Sequence, residues 1–198
     1  LISIFVIMRG LVYKSTGSWY SVKTLNNKQF DCRIKGKFRL DGIKSTNPIA
    51  VGDYVDFELE SNSDVETGVI HNIRERKNYV LRKSVNLSKQ THILASNIDV
   101  VFLIVTISGP TTSTNFIDRF LLTSNAYSIN TVLLFNKVDL LNTDEKKILK
   151  KLIKIYSEIG YTCHEISAKD GFNIDKVQLI MKDKVSMFGG HSGVGKST

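Results

Sequence analysis

Proline and cysteine are the scarce residues, two of each in 198. Two prolines leave no room for a Pro-rich linker or stalk. Cys32 and Cys163 are too few for a disulfide scaffold and make no zinc-ligand pair, so reduced thiols in a cytoplasmic protein are expected. Long apolar runs are also lacking. Leu1 to Ile7 (LISIFVI) falls well short of the roughly 20 residues a bilayer-spanning helix needs. It has neither the basic start nor the small-residue cleavage site of a signal peptide. No membrane partner is expected. Met8 follows directly, so residues 1–7 are expected to be an apolar extension ahead of the natural start.

Acidic residues are in short supply: 19 Asp and Glu face 27 Lys and Arg, a net charge of +8. The excess is local. Residues 1–90 hold 15 basic and 9 acidic side chains, and residues 91–198 hold 12 and 10. The N-terminal half could therefore neutralise nucleic-acid phosphates, although a solvated basic surface has the same composition. Hydrophobic residues at 42% and charged residues at 23% are ordinary globular usage, which excludes wholesale disorder.

The patterning divides the chain. From Met8 to Ile73, short runs rich in β-branched and aromatic residues alternate with turn signals: Gly10–Tyr13, Trp19–Val22, Gln29–Ile34, Val51–Leu59 and Gly68–Ile73. Five short strands suit a small barrel, OB-like or SH3-like. Residues 74–90 follow as a basic linker containing Arg74, Arg76, Lys77, Arg82 and Lys83. From Thr91 to Thr198 strands and helices alternate. Ile98–Val105 and Thr131–Phe135 read as strands buried on both faces, and helical spacing follows each. That is a doubly wound α/β pattern, in which ligands bind off the C-terminal ends of strands.

Three motifs fall at such ends. Gly190-His191-Ser192-Gly193-Val194-Gly195-Lys196-Ser197 matches the phosphate-binding loop, G-x-x-x-x-G-K-[ST]. Its glycines let successive backbone N–H groups face one concavity, with Lys196 for the outer phosphates and the Ser197 hydroxyl for Mg²⁺; Thr198 completes the run. Asn136-Lys137-Val138-Asp139 is N-K-x-D, in which Asn136 would tie this loop to the phosphate loop and reach the base edge while the Lys137 stem packs against the ring plane. The Asp139 carboxylate would accept from guanine N1–H and its exocyclic amine, which adenine cannot offer. Ser167-Ala168-Lys169 is the third, with the Ala168 amide positioned for guanine O6. The order is N-K-x-D, S-A-K, then phosphate loop. The usual order puts the phosphate loop first; joining its termini and opening new ones before the N-K-x-D strand produces the order here, which is a circular permutation.

Taken together, the small barrel, the permuted motif order and the loop G-H-S-G-V-G-K-S resemble the small ribosomal subunit biogenesis GTPases of the RsgA (YjeQ) family. The resemblance runs from Met8 to Thr198. It implies an all-β barrel of OB fold followed by a circularly permuted α/β P-loop GTPase domain. It also implies GTP and GDP with Mg²⁺ as ligands, and GTP hydrolysis in late maturation of the small ribosomal subunit. The implied partner is that subunit and its rRNA, with a cytoplasmic, monomeric protein. The chain ends one residue after Ser197. The helix after the loop, both switch regions, the D-x-x-G aspartate and a zinc module are expected beyond that point, and the present piece is expected to bind nucleotide weakly or not at all. No catalytic residue is identified. A non-catalytic RNA-binding module with nucleotide as modulator and an ATP-using P-loop enzyme are the rival readings.

Arg33, Lys35, Lys37 and Arg39 alternate, which puts them on one strand face as candidate phosphate contacts. Tyr13, Trp19, Tyr20, Phe30 and Phe38 divide between barrel core and a base-stacking surface. His191 is read as a spacer inside the loop.

Overall fold

The computed structural model describes residues 7–34, 48–60, 66–83 and 91–198. It divides into two compact units at Asn97 and Ile98.

In the first unit β1 (Met8–Thr16), β2 (Trp19–Thr24), β3 (Gln29–Ile34), β4 (Tyr54–Leu59) and β5 (Thr67–Ile73) close a barrel in the order β1-β2-β3-β5-β4. β3 and β5 run parallel, while β1 pairs antiparallel with both β2 and β4. This is the OB arrangement, and the SH3-like alternative is set aside. Alternation drives it: along β3, Phe30 and Cys32 point in while Gln29, Asp31 and Arg33 point out. Val12, Tyr20, Val22, Phe30, Val55, Phe57 and Ile70 fill the interior. Of the expected aromatic set, Tyr20 and Phe30 are therefore core and Tyr13 and Trp19 are exposed; Phe38 lies outside the described residues.

Segment 74–90, read above as a linker, contains structure. β6 (Tyr79–Lys83) pairs antiparallel with β7 (Thr91–Ser96) in a two-stranded ribbon that belongs to the first unit. A buried ion pair fastens ribbon to barrel. Arg76 donates to Asp53 at 2.6 and 2.5 Å and to the Pro48 carbonyl at 2.7 Å. Asp53 also accepts from the Ser96 hydroxyl at 2.5 Å and the Ala50 amide at 2.8 Å. Arg74 is likewise committed, to Asp56 at 3.0 Å. The composition of this segment is that of a solvated basic linker, but Arg76 is buried in an ion pair that fastens the unit.

Cys32 is fully buried, and burial together with the Asp31 carboxylate pushes its thiol up to about 12. Burial also raises Cys163, which is only partly covered. Because the thiolate is the reactive species, Cys32 should resist alkylation at about pH 8 until the barrel unfolds. Mass spectrometry of timed iodoacetamide labelling checks this. Labelling of Cys32 at the denatured-chain rate would contradict the buried placement.

The second unit is a parallel sheet, β10-β9-β8-β11, formed by β8 (Val100–Val105), β9 (Asn130–Phe135), β10 (Thr162–Glu165) and β11 (Ser186–Gly189). All six residues of β8 are buried. Leu103 and Val105 face α1 (Thr114–Ala126) and α2 (Thr143–Glu158) through Ile117, Leu121, Leu149 and Tyr156. Val100, Phe102 and Ile104 face the opposite side, against Val177 of α3 (Ile174–Met181). Helices on both faces bury the sheet twice over, which explains the unbroken apolar runs. Asn142 and Glu145 start α2 with a reciprocal capping box, a motif worth about 0.5–2 kcal/mol at its cap residue.

Candidate nucleotide site

The three motifs sit where β9, β10 and β11 end, on one edge of the parallel sheet. Asn136 follows β9 directly and is buried. Its Nδ2 donates to the Val194 carbonyl at 2.8 Å, and its Oδ1 accepts from the Ala168 amide at 3.0 Å. One side chain thus joins N-K-x-D, S-A-K and the phosphate loop. A carboxamide is the group for this task because it offers a donor and an acceptor together.

Lys137 takes the left-handed conformation, at φ 65°. Its ammonium reaches the Gly193 carbonyl at 2.7 Å and the Gly109 carbonyl at 2.5 Å. Asp139 lies exposed in the short 3₁₀ turn Val138–Leu140. A cavity of about 450 Å³ opens beside it, also lined by Val138, Ser167 and Phe172. Ser167 is buried and its hydroxyl accepts from the Asp170 amide at 3.2 Å, which shapes the S-A-K turn. The Ala168 amide, expected to face guanine O6, is engaged by Asn136 in this structure.

In the phosphate loop, Val194 is buried against the sheet, whereas His191, Ser192, Gly193, Lys196, Ser197 and Thr198 are exposed. Gly195 is required twice over. Its φ is +97°, and a Cβ there would lie 2.4 Å from Asn136 Nδ2. Gly195→Ala should therefore break the Asn136 link and weaken nucleotide binding about five- to a hundredfold, as expected when a buried amide loses its partner at a cost of about 1–3 kcal/mol. Unchanged binding in a titration with a fluorescent GDP would contradict that coupling. The Lys196 ammonium bends back onto the carbonyls of Gly190 at 3.0 Å and His191 at 2.5 Å. An ammonium has three donors, so one is left for a phosphate oxygen. His191 does more than space the loop: its ring packs on Phe116 of α1, with centroids 3.9 Å apart.

Two contributors were not singled out from sequence. The Gly109 carbonyl receives Lys137, and Phe116 supports His191. Gly109-Pro110 directly past a buried strand is a turn signal at the binding edge and could have pointed to the first. Phe116 is indistinguishable in sequence from a core residue of an amphipathic helix.

The candidate RNA-contact residues fare differently. Arg33 is exposed but forms a two-pronged pair with Glu60, at 2.7 and 3.0 Å. Lys35, Lys37 and Arg39 lie outside the described residues. Among the described residues no group of three His, Cys, Asp or Glu is placed to hold a metal ion. No helix among them is long and apolar enough to cross a membrane.

With this geometry in hand, comparison with known proteins is specific. The family model described as RsgA GTPase matches residues 73–198, and that of the RsgA N-terminal domain matches residues 9–70. The chain belongs to the RsgA GTPase family. The small ribosomal subunit biogenesis GTPase RsgA of Flavobacterium psychrophilum is 60% identical over 194 residues, covering 96% of this chain and 59% of its own. That of Christiangramia forsetii is 60% identical over 191 residues, covering 96% of this chain and 61% of its own. Among solved structures, YjeQ from Thermotoga maritima matches with a TM-score of 0.77 at 35% identity, covering 97% of this chain and 63% of that one. YloQ, a circularly permuted GTPase, matches with a TM-score of 0.73 at 28% identity, covering 96% and 62%. The chain thus spans about three fifths of the length of these family members, and the permuted motif order is one it shares with a solved structure.

Proposed function

We propose that this chain is the guanine-nucleotide-binding part of a GTPase that hydrolyses GTP to GDP and phosphate and acts in late maturation of the small ribosomal subunit. The observation that carries the reading is the Asn136 side chain, which holds the phosphate loop and the two base-side loops in one assembly. Asp139 selects guanine, because a carboxylate there leaves adenine without a matching donor pair. The Lys137 ammonium anchors the base-side loop to the phosphate loop, so base recognition and phosphate recognition are fixed in one frame. The backbone amides of Gly190 to Ser197, with Lys196, bind the phosphates.

Ser197 is an exposed hard-oxygen donor next to Lys196, which fits Mg²⁺, an ion that takes one or two protein oxygens and completes its shell with phosphate and water. When bound, the ion would neutralise charge on the outer phosphates. The role of orienting the attacking water is given to no described residue. The barrel would contact rRNA, in keeping with the basic N-terminal half and with the names of the relatives. A monomer in the cytoplasm accompanies such a partner.

Co-sedimentation of the chain, extended to the length of its relatives, with purified small ribosomal subunits, in the presence of GDP or a non-hydrolysable GTP analogue, tests the reading. Retention on small but not large subunits, different between the two nucleotides, is expected. Retention indifferent to nucleotide would favour a plain RNA-binding module, and equal retention on both subunits would overturn the proposed partner.

A further inference from the structure

The outer face of β1 carries a groove that none of the motifs accounts for. Alternation with the buried Val12 turns Tyr13 outward, at 57% exposure, and a register shift between Val12 and Lys14 leaves it without a partner on β2. Leu11 lies between Lys23 of β2 and Tyr54 of β4, and Tyr54 is 41% exposed. These residues line a hollow of about 220 Å³ with Arg9 and Leu25. Leu25, at the β2–β3 turn, is 90% exposed. A second hollow of about 430 Å³ shares Arg9 and Leu25 and continues to the end of the barrel.

The charges of this groove are available. Lys23 stands over the Tyr13 ring, 5.5 Å from its centroid, and makes no salt bridge among the described residues. Arg9 is only loosely held, 3.8 Å from Asp56, whose Oδ1 already accepts two bonds from Arg74 at 3.1 and 3.0 Å. Arg33, by contrast, is committed to Glu60. Two exposed phenol rings, an exposed aliphatic tip and two available cations are the components that bind single-stranded nucleic acid: rings accept unstacked bases and cations track the backbone. A basic helix-spanning face without exposed rings would suit a duplex instead, since a duplex keeps its bases stacked.

We propose that the β1 face of the barrel is a site for unpaired RNA, in which bases stack on Tyr13 and Tyr54 while Arg9 and Lys23 meet the adjoining phosphates. This rests on the reading that the barrel contacts rRNA, and it adds the β1 groove to the strand face of Arg33 as a contact.

Fluorescence anisotropy with a labelled oligoadenylate of about 12 nucleotides, against an RNA duplex of the same length, tests it on the 198-residue chain. The single strand should bind more tightly. Tyr13→Ala and Tyr54→Ala should each weaken it about five- to a hundredfold, and Tyr13→Phe, which keeps the ring, should not. Lys23→Gln should weaken both RNAs and lower the salt-dependence slope by about one. Thermal melts of the same variants separate lost binding from lost folding, and the outward Leu25→Ser change gives an independent lesion in the groove. Tyrosine variants that are folded and bind the single strand as the parent does would overturn the site. So would loss of binding to small ribosomal subunits with binding to the oligonucleotide unchanged, which would make the groove a protein contact. GDP binding by the same variants carried on a chain extended to the length of the relatives keeps the two readings apart: RNA bound through the tyrosines without guanine nucleotide sinks the GTPase reading alone, and nucleotide bound without RNA sinks the groove alone.

Discussion

Asp139→Asn should weaken GDP binding by about two to three orders of magnitude, the scale on which removing one charged partner of a buried recognition pair acts. The carboxylate accepts from two guanine donors at once, and an amide can accept only one of them before presenting its own N–H to the other. Xanthine carries a carbonyl where guanine carries the amine, so the same amide should bind xanthosine diphosphate better than the parent chain does. Asp139 is exposed in the present structure and makes no described hydrogen bond, so the substitution leaves the 3₁₀ turn and the Asn136 link intact. A swap of preference with an unchanged melting temperature is the expected signature. Equal losses for guanine and xanthine nucleotides would show that the residue supports the loop without reading the base.

Arg76→Ala should be the most damaging single change to the first unit. Arg76 is 7% exposed and Asp53 not at all, so truncation leaves a buried carboxylate without its cation. Such a loss costs about 3–5 kcal/mol, a large fraction of the 5–15 kcal/mol that holds a domain together. For a unit of this size the melting transition should fall by roughly 12 °C or more. Arg74→Ala is the control, because its pair with Asp56 is 43% exposed on the arginine side and worth about 0–1 kcal/mol. Differential scanning calorimetry of both variants would settle the contrast. Similar small shifts for the two would mean that the Asp53–Arg76 pair does not fasten ribbon to barrel.

Arg76 also illustrates how far the sequence could be read. Barrel strands announce themselves through alternation, as β3 does with Phe30 and Cys32 inward. The parallel sheet announces itself through the uninterrupted run of β8. The ribbon formed by β6 and β7 does not, because its segment is as charged as a solvated linker; its key arginine is buried only by virtue of Asp53, some twenty positions earlier. The helix α3 is similarly quiet, with eight residues and one fully buried side chain, Val177.

The nucleotide site was legible in its residue types and in one connection, the tie from Asn136 to the phosphate loop, which its bond to the Val194 carbonyl bears out. G-x-x-x-x-G-K-S, N-K-x-D and S-A-K each have a spacing tied to their chemistry, so their residues could be singled out. That Asn136 also accepts from the Ala168 amide, or that Lys137 reaches the Gly109 carbonyl, depends on contacts across 32 and 28 positions. No local pattern reports them. The β1 groove was half visible: the aromatics could be named, but which of them point inward depended on the phase of each strand's alternation, set by how the barrel closes.

The central claim is that the three loops form one guanine-selective phosphate site, and competition for a fluorescent GDP tests it most directly. Unlabelled GTP and GDP should displace the probe from a chain extended to the length of its relatives while ATP at the same concentration does not, and the ratio of affinities carries the test whatever their absolute values. Displacement by ATP as readily as by GTP would contradict the account.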